Sequence, residues 1–298
     1  MNSCARVAAI EAGGTKFVVG VGHSCEEMAT TTIPTTTPEE TMAAVGEYLT
    51  AQWREEPFQA IGIASFGPIG VNAAAPDYGV IGVTPKAGWS QFNLRSSLKT
   101  FDVPITVDSD VNGAALAEAT HGAGRGKGTV IYVTVGTGIG AGIVSNGRVS
   151  NGFSHPEAGH MVIPQHIDDL ENACSCPFHD SCLEGLASGP SIMRRWQSDL
   201  SVLGSNHLGF QLEAYYLGAM CHNLIMTYMP DVILLGGGVS QAPGLIDAVR
   251  RETCKSLGGY LPALNSDEAM QALIQKPALA PISGLVGAYD LALMGLSQ

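Results

Sequence analysis

Positive charge is what this sequence has least of. Fifteen Lys and Arg stand against 27 Asp and Glu, a net charge of −12 over 298 residues. That balance leaves no basic footprint for nucleic acid or for an anionic membrane surface. Any bound phosphate must be held locally, by backbone amides, a lysine or a divalent cation. No apolar run approaches the ~20 residues of a membrane span. The opening Met1–Arg6 passes into a strand without a signal-peptide pattern. Cysteine is sparse and odd in number, seven in all, so a disulfide framework is not expected; metal ligation or free thiols in a cytoplasmic protein are. No G-x-x-x-x-G-K-[ST] occurs, which excludes a Walker A loop. A polar linker is missing too, so two lobes meeting across a cleft are expected rather than two tethered domains.

Glycine, by contrast, is abundant at 37 residues. Two glycine turns lie about half the chain apart: Glu11-Ala-Gly13-Gly14-Thr15-Lys16 and Gly136-Thr137-Gly138-Ile139-Gly140. Each is entered and left by an apolar, β-prone run. Strand, glycine turn, strand is a hairpin whose tip exposes N–H groups with no side chain in the way, a concave row of donors suited to phosphate oxygens. Gly136–Gly140 loosely matches a dinucleotide fingerprint, but a strand follows it where that motif needs a helix. A third turn, Gly236-Gly237-Gly238, ends the apolar run Val232–Leu235. The set points to a duplicated fold holding a polyphosphate, and so to a nucleotide-dependent phosphotransferase.

Strands are expected at Arg6–Glu11, Phe17–Gly22, Ala60–Ala64, Val80–Val83, Ile105–Val107, from Val130, and at Val232–Gly236. The threonine run from Thr30 reads as extended chain. Helices are expected at Pro38–Trp53, Phe92–Thr100, Val111–Ala119, Gly189–Leu200, Leu208–Met229, Pro243–Leu257 and Ser283–Leu296.

Asp108-Ser109-Asp110-Val111-Asn112 falls where a strand ends and a helix begins, a place that favours an ionised carboxylate. A simple N-cap would explain one Asp but not the cluster. Phosphoryl transfer to an alcohol needs a carboxylate to accept the hydroxyl proton, and Asp110 is the candidate base. The stretch from Asn151 to Cys182 is irregular and carries His155-Pro-Glu157-Ala-Gly-His160, then Cys174-Ser-Cys176-Pro-Phe-His179-Asp-Ser-Cys182-Leu-Glu184. Thiolates with imidazole select Zn²⁺ in a closed, structural site, which would order this loop. Glu157 and Glu184 flank it and suit hydrogen bonds to sugar hydroxyls.

These residues resemble the ROK family of sugar kinases and repressors, within the actin-like, ribonuclease-H-like ATPases. The first turn is similar to D-x-G-G-T-K, with Glu11 where most members carry Asp. Asp108–Asn112 is similar to N-D-x-N, with Ser109 replacing Asn. Val135–Gly142 and Glu157-Ala-Gly-His160 match the second phosphate motif and E-x-G-H. The cysteine segment departs from C-x-C-G-x-x-G-C-x-E and takes the form of the bacterial fructokinase branch. So do Phe66-Gly67-Pro68, Thr84-Pro-Lys86-Ala-Gly88-Trp89 and Cys182–Pro190.

The resemblance implies an α/β, actin-like fold of two similar lobes around a cleft. Residues 1–118, with helix 283–298 crossing back, would form the N-terminal lobe; 119–282, with a zinc-bound sugar loop 151–184, the C-terminal lobe. It implies ATP-dependent phosphorylation of a hexose at its primary hydroxyl, with fructose 6-phosphate as the expected product. Mannose, glucose and N-acetylhexosamine kinases remain alternatives, as does an inactive sugar-binding regulator. A family repressor would carry an N-terminal helix-turn-helix, for which this chain has no room before its first strand. Asp110 would be the base. Ser109, Glu157, His160 and Glu184 would contact sugar. Glu11, Gly13, Gly14, Thr15, Lys16, Gly136, Thr137 and Gly138 would hold phosphate and Mg²⁺, with Mg²⁺ near Glu11 and Asp110. Gly236, Gly237 and Gly238 would approach the adenosine. Structural zinc would fall on His160, Cys176, His179 and Cys182, leaving Cys174 spare. A homodimer is the implied assembly.

Overall fold

The computed structural model describes residues 5–297. Residues 1–4, read above as a lead-in without a signal pattern, and Gln298, at the end of the expected last helix, lie outside the described residues. The chain divides into two compact units. One takes in residues up to 118 with 149–155 and 281 onward; the other holds 119–148 and 156–280. Residues 149–155, expected in the second lobe, group with the first unit.

The first unit opens with β1 (Val7–Ala12), an apolar run that turns at Gly13-Gly14 into the antiparallel β2 (Lys16–Gly22). β3 (Ala29–Pro34), the threonine run, pairs with β2. Thr37 Oγ1 accepts the Glu40 N–H and Pro38 occupies the first turn, which starts α1 (Pro38–Glu55). β4 (Ile61–Ser65) runs parallel to β1. A short α2 (Leu94–Ser97) precedes β5 (Ile105–Ser109), parallel to β4, and β5 runs without a loop into α3 (Asp110–Thr120).

The second unit begins with β6 (Thr129–Val135) and the antiparallel β7 (Ile139–Ser145), followed by β8 (Arg148–Val149). After an irregular stretch come α4 (Leu183–Ala187), α5 (Gly189–Trp196), α6 (Leu200–Leu203) and α7 (Leu208–Tyr228). β9 (Val232–Gly236) runs parallel to β6; α8 (Leu245–Leu257) and α9 (Asp267–Leu273) lead to β10 (Ile274–Gln275), parallel to β9. The chain then returns to the first unit as α10 (Ser283–Gly295).

The sheets run β3-β2-β1-β4-β5 and β8-β7-β6-β9-β10. Strand for strand this is one plan used twice: a hairpin, a third strand beyond it, and two parallel strands on its other side. Each unit has its own core, around Ile10, Phe17, Val19 and Ile63 in one and Ile131, Val133, Leu217 and Leu235 in the other.

Several expected elements differ. Val80–Val83 forms no strand; Gly79 sits at φ 80° and only isolated bridges, Ile69 to Ile81 and Val80 to Asn93, tie the segment down. The helix expected at Phe92–Thr100 is a single α-turn capped by Asn93, then a 3₁₀ turn at Lys99–Phe101 that Asp102 ends at φ 52°. Gly189–Leu200 stops at Trp196, where Gln197 takes a left-handed conformation. Pro243 and Gly244 precede α8 rather than belong to it.

Candidate active site

At the first turn, Gly13 N–H donates to the Lys16 carbonyl (3.0 Å) and Thr35 Oγ1 donates to the Gly13 carbonyl (2.8 Å). This leaves the N–H groups of Gly14 and Thr15 with no acceptor among the described residues. Glu11, at the end of β1, is largely buried. Burial first, then the charge of Asp110, push its carboxyl up to about 7, against the opposing pull of Lys16 and of the Leu285 N–H at the start of α10. Gly284 lies close beside it: a Cβ there would fall 2.6 Å from the Glu11 carboxylate and displace it.

The β5–α3 junction separates the two aspartates. Asp108 is buried and saturated. It accepts from Ser109 N–H (2.7 Å), from Asn112 Nδ2 (2.6 Å) and from Asn151 Nδ2 (3.0 Å). Burial pushes its carboxyl up, and those three donors oppose the shift. Asp110, half-buried at the start of α3, accepts the Val111 N–H (2.8 Å). Ser109 is buried and its Oγ accepts the Asn112 N–H (3.3 Å), so it caps α3. Within this cluster Asp110 is the accessible carboxylate and Asp108 the one that holds the frame.

In the second unit the β6–β7 turn repeats the first. Gly136 N–H donates to the Gly138 carbonyl (2.9 Å), and the N–H groups of Thr137 and Gly138 have no acceptor among the described residues. Glu184, in the first turn of α4, takes the next donor: its Oε2 accepts the Ile139 N–H (2.8 Å). A Cβ on Gly138 would lie 2.7 Å from that oxygen and push the Glu184 carboxylate from its place. The third turn packs beneath. Gly237, at φ 85°, leaves no room for a Cβ against the Val135 backbone, whereas Gly238 faces open space.

The irregular loop brings His160, Cys176, His179 and Cys182 together, with ligand atoms all within 4.8 Å of one another. Cys176 Sγ lies 3.3 Å from His179 Nδ1 and 3.8 Å from His160 Nδ1; Cys182 Sγ lies 3.8 Å from His160 Nδ1. A tetrahedral Zn²⁺ with bonds of about 2.0–2.3 Å has ligand separations of about 3.3–3.8 Å, the range of these three distances. Cys174 stands outside the four, 4.0 Å from Cys182 Sγ. His160 turns its other nitrogen toward Glu184 Oε1 (3.9 Å), which links this loop to the β6–β7 turn. Glu157 is exposed one position before the 3₁₀ turn that carries His160.

The ROK family model matches residues 7–294. The chain belongs to the ROK family. It is 38% identical to the fructokinase of Zymomonas mobilis over 95% of both chains, and 39% identical to that of Pediococcus pentosaceus over 97% of this chain and 98% of the other. It superposes on a ROK hexokinase from Thermus thermophilus with a TM-score of 0.79 at 27% identity, covering 98% and 99% of the two chains. The fold is accordingly the actin-like α/β fold of ROK sugar kinases.

For this ROK chain, the residues singled out from sequence gather within each unit: Glu11, Gly13 to Lys16, Ser109 and Asp110 in the first; Gly136 to Gly138, Glu157, His160, Glu184 and Gly236 to Gly238 in the second. His155 is elsewhere than its neighbours imply. It is buried in the first unit, where its Nε2 accepts the Ile69 N–H (3.3 Å). Sequence reasoning missed two supports. Asn151 reaches back to Asp108 across 43 residues, which only the fold reveals. Asp169, fully buried, pairs with Arg195 (2.5 Å) and accepts from Tyr216 Oη (2.6 Å), and so anchors the irregular loop to α5 and α7. No helix among the described residues is long and apolar enough to cross a membrane.

Proposed function

We propose that this chain is an ATP-dependent fructokinase that phosphorylates fructose at its primary hydroxyl to give fructose 6-phosphate. The observation that carries the reading is the repeated turn: two hairpins of one topology, each with two N–H donors that no acceptor among the described residues uses, and Asp110 accessible at the start of α3 in the first unit. The choice of fructose rests on relatives named fructokinase at 36–39% identity.

Asp110 takes the proton from the hydroxyl as its oxygen bonds to the γ-phosphorus; the bond from that phosphorus to the ADP oxygen breaks in line. On the first unit Lys16 and the N–H groups of Gly14 and Thr15 suit developing negative charge on phosphate, and on the second unit the N–H groups of Thr137 and Gly138 suit it likewise. Glu157, His160 and Glu184 orient sugar hydroxyls, and Gly238, on its open side, admits the adenosine. The charge of Asp110 raises the cost of ionising Glu11, a pairing of like charges that suits Mg²⁺. That ion would supply neutralisation of phosphate charge. Zn²⁺ on His160, Cys176, His179 and Cys182 would be structural, because four protein ligands leave no open position. Six thiols without a disulfide among the described residues agree with a cytoplasmic enzyme. By resemblance it works as a homodimer.

The test is ADP release with Mg·ATP and a panel of hexoses, with zinc measured in the same sample. Preference for fructose with about one zinc per chain is expected. Equal or faster turnover of mannose, glucose or an N-acetyl sugar would remove the fructose assignment. No ADP from any sugar with folded, zinc-loaded protein would remove the kinase.

A further inference from the structure

The segment Thr84-Pro-Lys86-Ala-Gly88-Trp89 has no task in the mechanism above, yet it delivers a lysine to the first glycine turn. The Lys86 stem lies along Gly14: a Cβ there would fall 2.7 Å from Lys86 Cε and 3.5 Å from Nζ. The ammonium has no carboxylate and no hydrogen-bond acceptor among the described residues. In a chain with 27 acidic and 15 basic residues, a half-buried lysine without an acid is not a surface ion pair. The loop that carries it is fixed. Trp89 is buried, its Nε1 donates to the Thr36 carbonyl (2.8 Å) and its N–H to the Lys86 carbonyl (3.2 Å). Beside Lys86 lies an open depression of about 340 Å³ lined by Thr35, Thr36, Thr37, Lys86, Ala87 and Trp89.

We propose that Lys86, with the unused N–H groups of Gly14 and Thr15, forms a phosphoryl-binding site on the first unit. Backbone donors set direction, and Lys86 adds a second positive charge to that of Lys16 at this turn. The phosphoryl group is either the terminal phosphate of the nucleotide or the ester of the sugar phosphate. The assignment rests on the phosphotransferase reading above and adds to it a residue from a separate loop.

Lys86→Met keeps the stem over Gly14 and removes the charge; Lys86→Arg keeps the charge. Calorimetric titration of both variants and the wild type with AMP, a non-hydrolysable ATP analogue, fructose 6-phosphate and pyrophosphate separates the outcomes. Loss of a charge-assisted hydrogen bond predicts about a tenfold to hundredfold weakening by Lys86→Met, partial retention by Lys86→Arg, and no change for AMP. Weakening confined to the ATP analogue assigns the site to the nucleotide; weakening confined to fructose 6-phosphate assigns it to the sugar ester. Binding of all ligands by Lys86→Met within about twofold of wild type, a difference too small for such a bond, overturns the site and leaves the kinase standing. A folded wild type that binds no phosphorylated ligand overturns both.

Discussion

Asp110 and Asp108 stand two positions apart in opposite surroundings, one half-buried and the other buried under hydrogen bonds. The sequence showed a carboxylate-rich strand-to-helix junction and allowed a base to be picked from it. It did not show that Asp108 is buried under three donors, one of them from Asn151, because that partner arrives only through the fold. Asp110→Asn should therefore lower kcat by about 10²–10⁴ with an unchanged circular dichroism spectrum and melting temperature; turnover within about tenfold of wild type would mean another base. Glu11 makes a prediction of its own. Its carboxyl is raised from 4.5 to about 7 in the folded chain. A raised carboxyl stabilises the fold when protonated, an effect complete below about 4.5 and lost as pH rises through about 7. In ligand-free protein Glu11→Gln should flatten that part of the stability profile, with a gain on the order of 3 kcal/mol at pH 8. Urea unfolding at pH 5 and pH 8 measures it, and a slope equal to wild type would sink the assignment. Ser109 was read as a sugar contact. Its hydroxyl accepts a cap bond, which leaves its proton and one lone pair for a ligand.

At the level of elements, the glycine hairpins, α1, α3, α7 and β9 were legible because their signals are local: an apolar run, a cap, a proline at the first turn. The region between β4 and β5 was not. Val80-Ile81-Gly82-Val83 has strand composition, but Gly79 at φ 80° and the close approach of Gly82 to Pro68 make it an irregular segment held by bridges. β10 and α9 were missed since two residues of strand and seven of helix carry little periodicity. The third turn offers a clean contrast between two adjacent glycines. Gly237→Ala meets the Val135 backbone in a left-handed conformation and should destabilise by about 1–3 kcal/mol. Gly238→Ala has open space and φ −63°, so its melting temperature should match wild type. A weaker nucleotide with unchanged stability in Gly238→Ala would support its place beside the adenosine; an unchanged nucleotide affinity would argue against it.

Over the whole molecule, the same five-strand plan occurs in both units, and the duplication was visible in sequence only through its glycine turns. What differs is how the second unit completes itself: an irregular stretch carries His160, Cys176, His179 and Cys182 and is tied to α7 by Asp169. Zinc removal, by chelation or by Cys182→Ser, should then cost amide protection across residues 156–187 while residues 7–22 and 105–120 keep theirs. Hydrogen exchange reads this directly, and a metal-free protein with unaltered protection and full activity would refute a structural zinc.

α10 settles the order in which the molecule is finished. Gly62 of β4 leaves room for its backbone, its own Gly287 makes room for the Gly113 carbonyl of α3, and its Leu285 N–H completes the surroundings of Glu11. On the ribosome, residues 5–118 are made first, but the helix that closes them follows the entire second unit. The half of the enzyme synthesised earliest is thus the half completed latest, and its proposed catalytic carboxylates acquire their final setting only when translation has passed residue 283.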